Sequence, residues 1–303
     1  MTDLSGRQYT LQSGGYRATV ASVGASLREL TLDGRNLVVP FDAADVRPAF
    51  RGATLAPWPN RVVDGTYSFA GIDHQLSLTE PARHHALHGL AGWLDFAAIE
   101  QDGDHLVLGG TVEAQAGYPF RLELRVAFRL DESGLHWSVS ALNTGSLAAP
   151  FGTAPHPYLV AGDGRVDDWM LELPADAVLT VTEDRLIPVG LEAVEGGEFD
   201  FRSSRAIAGT FIDHAFTDLR RDAQGTASVR VLTASGNGVG MTWAQDCPWV
   251  QVHTADLPDS VISRIGLAVE PMTCPPDAFN SGTDLLVIEP GDSASAGWRI
   301  HAI

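Results

Sequence analysis

A few side chains in this sequence combine an ionisable group with a rigid local backbone, which is what proton-transfer chemistry requires. His156 stands in Pro155-His156-Pro157-Tyr158. Prolines fix their own φ and restrict the residue before them, so this imidazole is expected to be held in one orientation. An imidazole so held suits proton transfer near neutral pH. Glu270 ends the apolar run 265–269 and precedes Pro271. A carboxylate at the end of a buried strand is costly unless it is paired or functional. Asp213 has the apolar neighbours Phe211-Ile212 and Ala215-Phe216 and invites the same reasoning. Arg61, after Pro59-Asn60, can donate two parallel hydrogen bonds to a carboxylate or to a pair of sugar hydroxyls. Each also has a purely structural reading: a packed turn His, a strand-end Glu capped by Pro, a surface Arg.

Five segments break the pattern of the chain with polar, turn-forming residues: 51–61, 84–90, 154–159, 211–216 and 269–280. In HHALHGL, His84 and His85 lie four and three residues before His88. On a helix that spacing could place two imidazoles on one metal ion. Gly89 and Gly92 argue against a helix, no H-E-x-x-H pattern exists and no third ligand is near in sequence, so no metal is expected. Cys247 and Cys274 form no C-x-x-C pair and are expected as buried free thiols rather than a disulfide. No G-x-S-x-G elbow offers a serine nucleophile. Taken together, the carboxylates, the histidines, Arg61 and the nearby Trp58, Trp93 and Trp249 can compose a polyol-binding site, with aromatic faces over sugar C–H surfaces. Paired carboxylates are also compatible with glycoside hydrolysis.

The elements that must position these groups are strands. Leu122, Leu124, Val126, Phe128 and Leu130 alternate with polar residues, a strand with one buried face. The DESG turn at 131–134 leads into Leu135, Trp137, Val139 and Ala141, which predicts a long antiparallel hairpin. Asp33-Gly34, Asp64-Gly65 and Asp102-Gly103 are further turn signals, the first two of the I′ kind. Residues 285–288 lead through Pro-Gly-Asp into a last short strand bearing Trp298, Ile300 and Ala302 on one face. Helical periodicity and strand–helix alternation are absent, which excludes a doubly wound sheet or a (β/α)₈ barrel. No polar linker divides the chain. The prediction is a single all-β domain over 1–303, a large antiparallel β-sandwich with few short helices.

Composition narrows the chemistry further. All 20 basic residues are Arg, and there is no Lys. Imine-forming aldolases, pyridoxal enzymes and P-loop phosphate chemistry therefore have no lysine to use. The formal charge of −18 disfavours nucleic acid and anionic membrane as partners. The opening MTDLSGRQYT has no signal-peptide pattern and no apolar stretch is long enough to span a membrane, so a cytoplasmic location is expected.

An ordered set of motifs resembles the aldose 1-epimerase (mutarotase) family, whose fold is the galactose mutarotase-like β-sandwich. The set comprises Asn60-Arg61, Leu87-His88-Gly89, His156-Pro157-Tyr158, Asp213, Gln251-Val252-His253-Thr254, Glu270-Pro271 and Ala278-Phe279-Asn280. The resemblance implies that Glu270 is the general base and His156 the general acid. It implies that Arg61, His88, Asp213 and Gln251 bind sugar hydroxyls, with no metal or organic cofactor. The partner would be a monosaccharide, and the protein a monomer or homodimer. The expected protonation is an ionised carboxylate and a partly protonated imidazole. Departures from the family pattern occur at His85, Leu90, Leu159 and His253. The Pro-Trp-Pro-Asn-Arg and Glu-Pro-Met-Thr-Cys-Pro-Pro forms resemble a bacterial subgroup that includes enzymes acting on sulfoquinovose. Alternatives are therefore a mutarotase for an anionic sugar (sulfoquinovose or a hexose 6-phosphate), with Arg51, Arg61 and Arg83 as candidate cation partners, or a non-catalytic sugar-binding module.

Overall fold

A computed structural model describes residues 3–303; Met1 and Thr2, at the head of the MTDLSGRQYT segment, lie outside the described residues. The alternation seen in the sequence becomes a nine-stranded antiparallel sheet. Its strand order is Ala97–Gln101, His105–Val112, Leu122–Asp131, Gly134–Asn143, Ser293–Ala302, Gly238–Trp243, Ala227–Leu232, Met170–Glu172 and Arg205–Ala206. Leu122–Asp131 and Gly134–Asn143 pair from Leu122↔Asn143 to Asp131↔Gly134, the predicted hairpin. Among the described residues the helical content is one four-residue α-helix, Ala278–Ser281, and three 3₁₀ turns.

Asp33 and Gly34 have φ of 49° and 81° and close the hairpin in which Leu32 faces Arg35. Positive φ at both central positions is the I′ requirement. Asp64 and Gly65 also have positive φ, 55° and 64°. There, however, the flanking strands part: Arg61–Val63 pairs with His85–Leu87, and Thr66–Phe69 pairs with Ile72–Gln75. The last strand is not short. Ser293–Ala302 has ten residues and lies inside the large sheet, between Gly134–Asn143 and Gly238–Trp243.

A six-stranded sheet runs in the order Tyr158–Leu159, Leu267–Met272, Trp249–His253, Asp213–Leu219, Ala175–Val181, Pro188–Ala193, and a four-stranded sheet covers Gln8–Asn36. One hydrophobic core joins all three sheets. Leu124, Val126, Phe128, Trp137 and Val139 of the large sheet belong to it with Val250, Val252, Val269 and Phe216 of the second and Val20, Leu27 and Leu30 of the third. Successive side chains of a strand point to opposite faces. Val250 and Val252 face this core, so Trp249, Gln251 and His253 face away from it. Likewise Val269 faces in while Ala268, Glu270 and Met272 face out. Both cysteines are buried and free. Among the described residues no helix is long and apolar enough to cross a membrane.

Candidate active site

Strand register alone brings four candidate residues together. Gln251 lies directly opposite Glu270, and Asp213 directly opposite His253. His253 faces Ala268, which faces Tyr158 in the next strand. The outward face of the six-stranded sheet thus presents Asp213, His253, Gln251, Glu270 and Tyr158 in two adjacent rows. A one-residue slip would turn every one of them into the core.

The segments at 47–61, 84–90 and 153–158 cover this face and supply the rest. His156 is held by its backbone: its N–H donates to Ala53 O at 3.0 Å and its carbonyl accepts from Gly52 N–H at 2.8 Å. Its ring reaches Glu270, with Nε2 3.4 Å from Oε1, and both side chains are almost wholly buried. His88 follows the strand His85–Leu87 with φ of 63°. Gly89, at φ 70°, lets the chain pass the Ala56 carbonyl; a Cβ there would lie 2.2 Å from that oxygen. The His88 ring is fixed by Asn60, whose backbone N–H donates to Nδ1 at 3.2 Å. A neutral imidazole that accepts at Nδ1 carries its proton on Nε2. The His88 and His156 rings meet edge to face at 5.0 Å, with Phe50 against both.

Arg61 is anchored by Glu80, which accepts from Nε at 2.8 Å and from an Nη at 3.1 Å. Asp213 Oδ2 lies 3.7 Å from the same guanidinium, while Oδ1 accepts from Gln251 Nε2 at 2.7 Å. The resulting cleft has a volume of about 330 Å³ and brings together all six predicted site residues, Arg61, His88, His156, Asp213, Gln251 and Glu270. Glu270 Oε2, Gln251 Oε1, His156 Nδ1 and His253 Nδ1 are buried without a protein partner. Buried polar groups are nearly always hydrogen-bonded, so these atoms are suited to a ligand rich in hydroxyls.

Burial dominates the electrostatics. It pushes His156 down to about 3, assisted by the charge of His253. It pushes Glu270 well above the usual carboxylate range, with Asp213 adding to the effect and Arg61 opposing it. His88 is held well below the ordinary imidazole value by burial and by His156. For Asp213, burial works upward, but His253, Arg61 and the Gln251 hydrogen bond together outweigh it and leave the group lowered. The expected ionised Glu270 and partly protonated His156 are therefore opposed by desolvation, which favours a neutral imidazole beside a protonated carboxyl. Burial disfavours both charged forms of the pair, the doubly protonated and the fully deprotonated, and its members are close enough to share one proton.

The predicted aromatic platform is built from other residues. Trp58 is buried against Tyr118 and Phe279, and Trp249 donates its Nε1–H to Asp284. Trp93 is 54% exposed and stacks on Arg47 outside the cleft lining. Phe50, Tyr158 and Phe211 line the cleft instead. Arg51 does not reach it, but lies over the Tyr158 ring and donates to Pro40 O. Asn280 of the Ala-x-Asn motif is structural: it bonds Asp277, which in turn accepts from Val63 N–H.

The metal question changes its residues. His84 is exposed and His85 is buried with Nε2 against Arg185 O, so neither joins His88. Among the described residues the possible ligand group is His88, His156 and Glu270, whose ligand atoms lie within 4.8 Å of one another. In His88 one nitrogen accepts from Asn60 and the other then carries the proton, which leaves no lone pair for a metal. The trio suits proton transfer: a carboxyl and an imidazole that share one proton can take a proton from one oxygen and give one to another.

The sequence model of the aldose 1-epimerase family matches residues 7–301. The uncharacterized protein YihR of Escherichia coli K12 is 37% identical over 288 residues, which cover 95% of this chain and 90% of that protein. The GalM/aldose epimerase homologue from C. elegans superposes with a TM-score of 0.86 at 20% identity over 98% of each chain. Galactose 1-epimerase from Lactobacillus acidophilus does so with a TM-score of 0.79 at 22% identity, over 97% of this chain and 93% of that one. At such identities the solved structures speak for the galactose mutarotase-like sandwich fold, while the family match spans nearly the whole sequence. This chain belongs to the aldose 1-epimerase family.

Proposed function

We propose that the chain, acting as a single domain, is an isomerase that interconverts the α and β anomers of a free, uncharged aldohexose. The observation that carries this reading is the buried Glu270–His156 pair at 3.4 Å, inside a cleft shared with Arg61, His88, Asp213 and Gln251. Glu270 takes the proton of the anomeric hydroxyl while His156 gives one to the ring oxygen. The C1–O5 bond opens to the aldehyde, C1 rotates about C1–C2, and closure on the other face reverses both transfers. General acid–base help of this kind accelerates a reaction roughly 10²–10⁴-fold.

The proton count fits the burial. Ring opening starts from carboxylate and imidazolium and ends with a carboxyl and a neutral imidazole. The second state is the one that desolvation favours, so the pocket helps to hold the pair through the open-chain stage. His88, with its proton on Nε2, donates to a sugar oxygen, and Gln251, Asp213 and Arg61 orient the remaining hydroxyls.

An anionic sugar is the weaker reading. Both guanidiniums that line the cleft, Arg61 and Arg83, are already bonded to Glu80. Anomer exchange of glucose and galactose, followed by magnetisation-transfer NMR, tests the proposal. Saturable acceleration over buffer is expected, with no release of sugar from a glycoside. Exchange at the buffer rate for every neutral aldohexose would refute it.

A further inference from the structure

We propose that Glu80 is a positioning and selectivity residue: it fixes the Arg61 guanidinium and cancels the positive charge by which the cleft would otherwise admit anionic sugars. This deepens the mutarotase reading and rests on it. Both Glu80 oxygens are engaged by arginine. Oε2 accepts from Arg61 Nε at 2.8 Å, and Oε1 accepts from an Arg61 Nη at 3.1 Å and from Arg83 at 2.9 Å. Three of its roughly four acceptor sites are thus taken by guanidinium N–H groups, so the carboxylate acts chiefly through its two arginines. The side chains of Arg61 and Glu80 are only 10% and 14% exposed, so solvent screens their contact little.

The mount is rigid. Glu80 and His85 exchange both backbone hydrogen bonds, at 3.0 and 3.2 Å, and Arg83 N–H donates back to Glu80 O at 3.1 Å. Arg185 fastens this turn from a distant loop: its Nε donates to Arg83 O at 3.0 Å, and its carbonyl contacts His85 Nε2 at 2.8 Å. A turn held at this many points is built to hold a side chain in place, as a preorganised binding group requires.

The charge balance gives the selectivity. The cleft lining carries the guanidiniums of Arg61 and Arg83 against the carboxylates of Glu80 and Asp213. Asp256 is matched by Arg264 at 2.8 Å, and the Glu270–His156 pair is neutral overall. Without the Glu80 charge, one guanidinium would be left unmatched beside the substrate, with Arg83 at the half-exposed end. Guanidinium is well suited to a carboxylate or other oxyanion on the sugar.

The test compares glucose with glucuronate, which carries a carboxylate at C6, in wild type and in Glu80→Gln, Glu80→Asp and Arg83→Gln. Thermal melts establish that each variant is folded. In Glu80→Gln the KM for glucose is expected to rise about tenfold or more with kcat largely kept, the mark of lost uniform binding. The kcat/KM ratio of glucuronate to glucose should rise by at least roughly tenfold. Glu80→Asp keeps the charge but shortens the reach, so KM for glucose should rise without a gain in that ratio. Arg83→Gln, partly exposed and able to fold whatever Glu80 does, should lower the ratio. An unchanged glucose KM in Glu80→Gln, or an unchanged ratio in both Glu80→Gln and Arg83→Gln, would overturn the proposal. Ligand-observed NMR supplies Kd values for both sugars independently of turnover. If no sugar exchanges anomers in the wild type, the mutarotase reading fails, and the Glu80 proposal stands or falls on whether Glu80→Gln moves the Kd ratio toward glucuronate.

Discussion

The proton shared by Glu270 and His156 makes a quantitative prediction about pH. With ordinary values of 4.5 and 6.5, the pair would hold one proton only between those limits. Its one-proton fraction would then fall roughly 25-fold between about pH 6 and pH 8. Burial moves both limits outward. His156 gains a second proton only near 3, and Glu270 loses its own only well above its ordinary range. The one-proton range therefore widens on both sides, whichever member carries the proton at a given moment. For the free enzyme, kcat/KM should be level between about pH 5 and pH 7 and should fall only on the alkaline side. The assay is anomer exchange by magnetisation-transfer NMR at several pH values, with the buffer-catalysed rate subtracted at each. A fall of roughly 25-fold centred near the ordinary imidazole value would mean that His156 titrates as though solvated. Burial would then not be what sets the protonation of His156.

Other outcomes follow from the same geometry. Because the folded state holds the Glu270 proton more tightly than the unfolded chain, the Glu270 contribution to stability should drop by up to about 1.4 kcal/mol per pH unit above its ordinary value of 4.5, a drop that the neutral, buried His156 offsets in the wild type up to its own ordinary value of 6.5. Glu270→Gln has no such proton, so its Tm advantage over wild type should grow from pH 5 to pH 7; a constant offset would contradict a raised Glu270. Asp213 raises Glu270 by its negative charge, so Asp213→Asn should move the alkaline limb of kcat/KM to lower pH while weakening sugar binding; a limb that stays in place argues against that coupling. Since His88 offers no free lone pair, prolonged dialysis against EDTA should leave turnover unchanged, and loss of activity restored by zinc would show a metal centre at His88, His156 and Glu270.

The parts of this fold that could be read from sequence are those encoded by local periodicity. Leu122–Asp131 and Gly134–Asn143 alternate cleanly because each has one face on the core and one toward solvent. The final strand reads short in the sequence for the same reason in reverse: Ser293, Ser295 and Gly297 face outward opposite Leu142, Ser140 and Ser138, and small residues on the outer face blur the contrast with Ala294 and Ala296. His156 and Glu270 stood out because proline neighbours and an apolar run mark them locally, and the structure does place them side by side. Glu80 carried no such mark. Its importance comes from a contact with Arg61 across 19 positions and from a turn pinned by Arg185, neither of which has a local signature. The tryptophans are ambiguous for a related reason. An indole next to a polar segment can equally fill the core, as Trp58 does, and only the packing of Phe50, Tyr158 and Phe211 around the cleft shows which rings could meet a sugar.

The central claim is that Glu270 moves the anomeric proton. Its most direct test is magnetisation-transfer NMR of glucose anomers with wild type and Glu270→Gln side by side, with sugar binding to each checked by ligand-observed NMR. The amide keeps the shape of the carboxyl but cannot accept a proton. The predicted result is saturable exchange in the wild type and exchange at the buffer rate in Glu270→Gln, which still binds the sugar. Near-normal exchange in the folded Glu270→Gln variant would contradict the account.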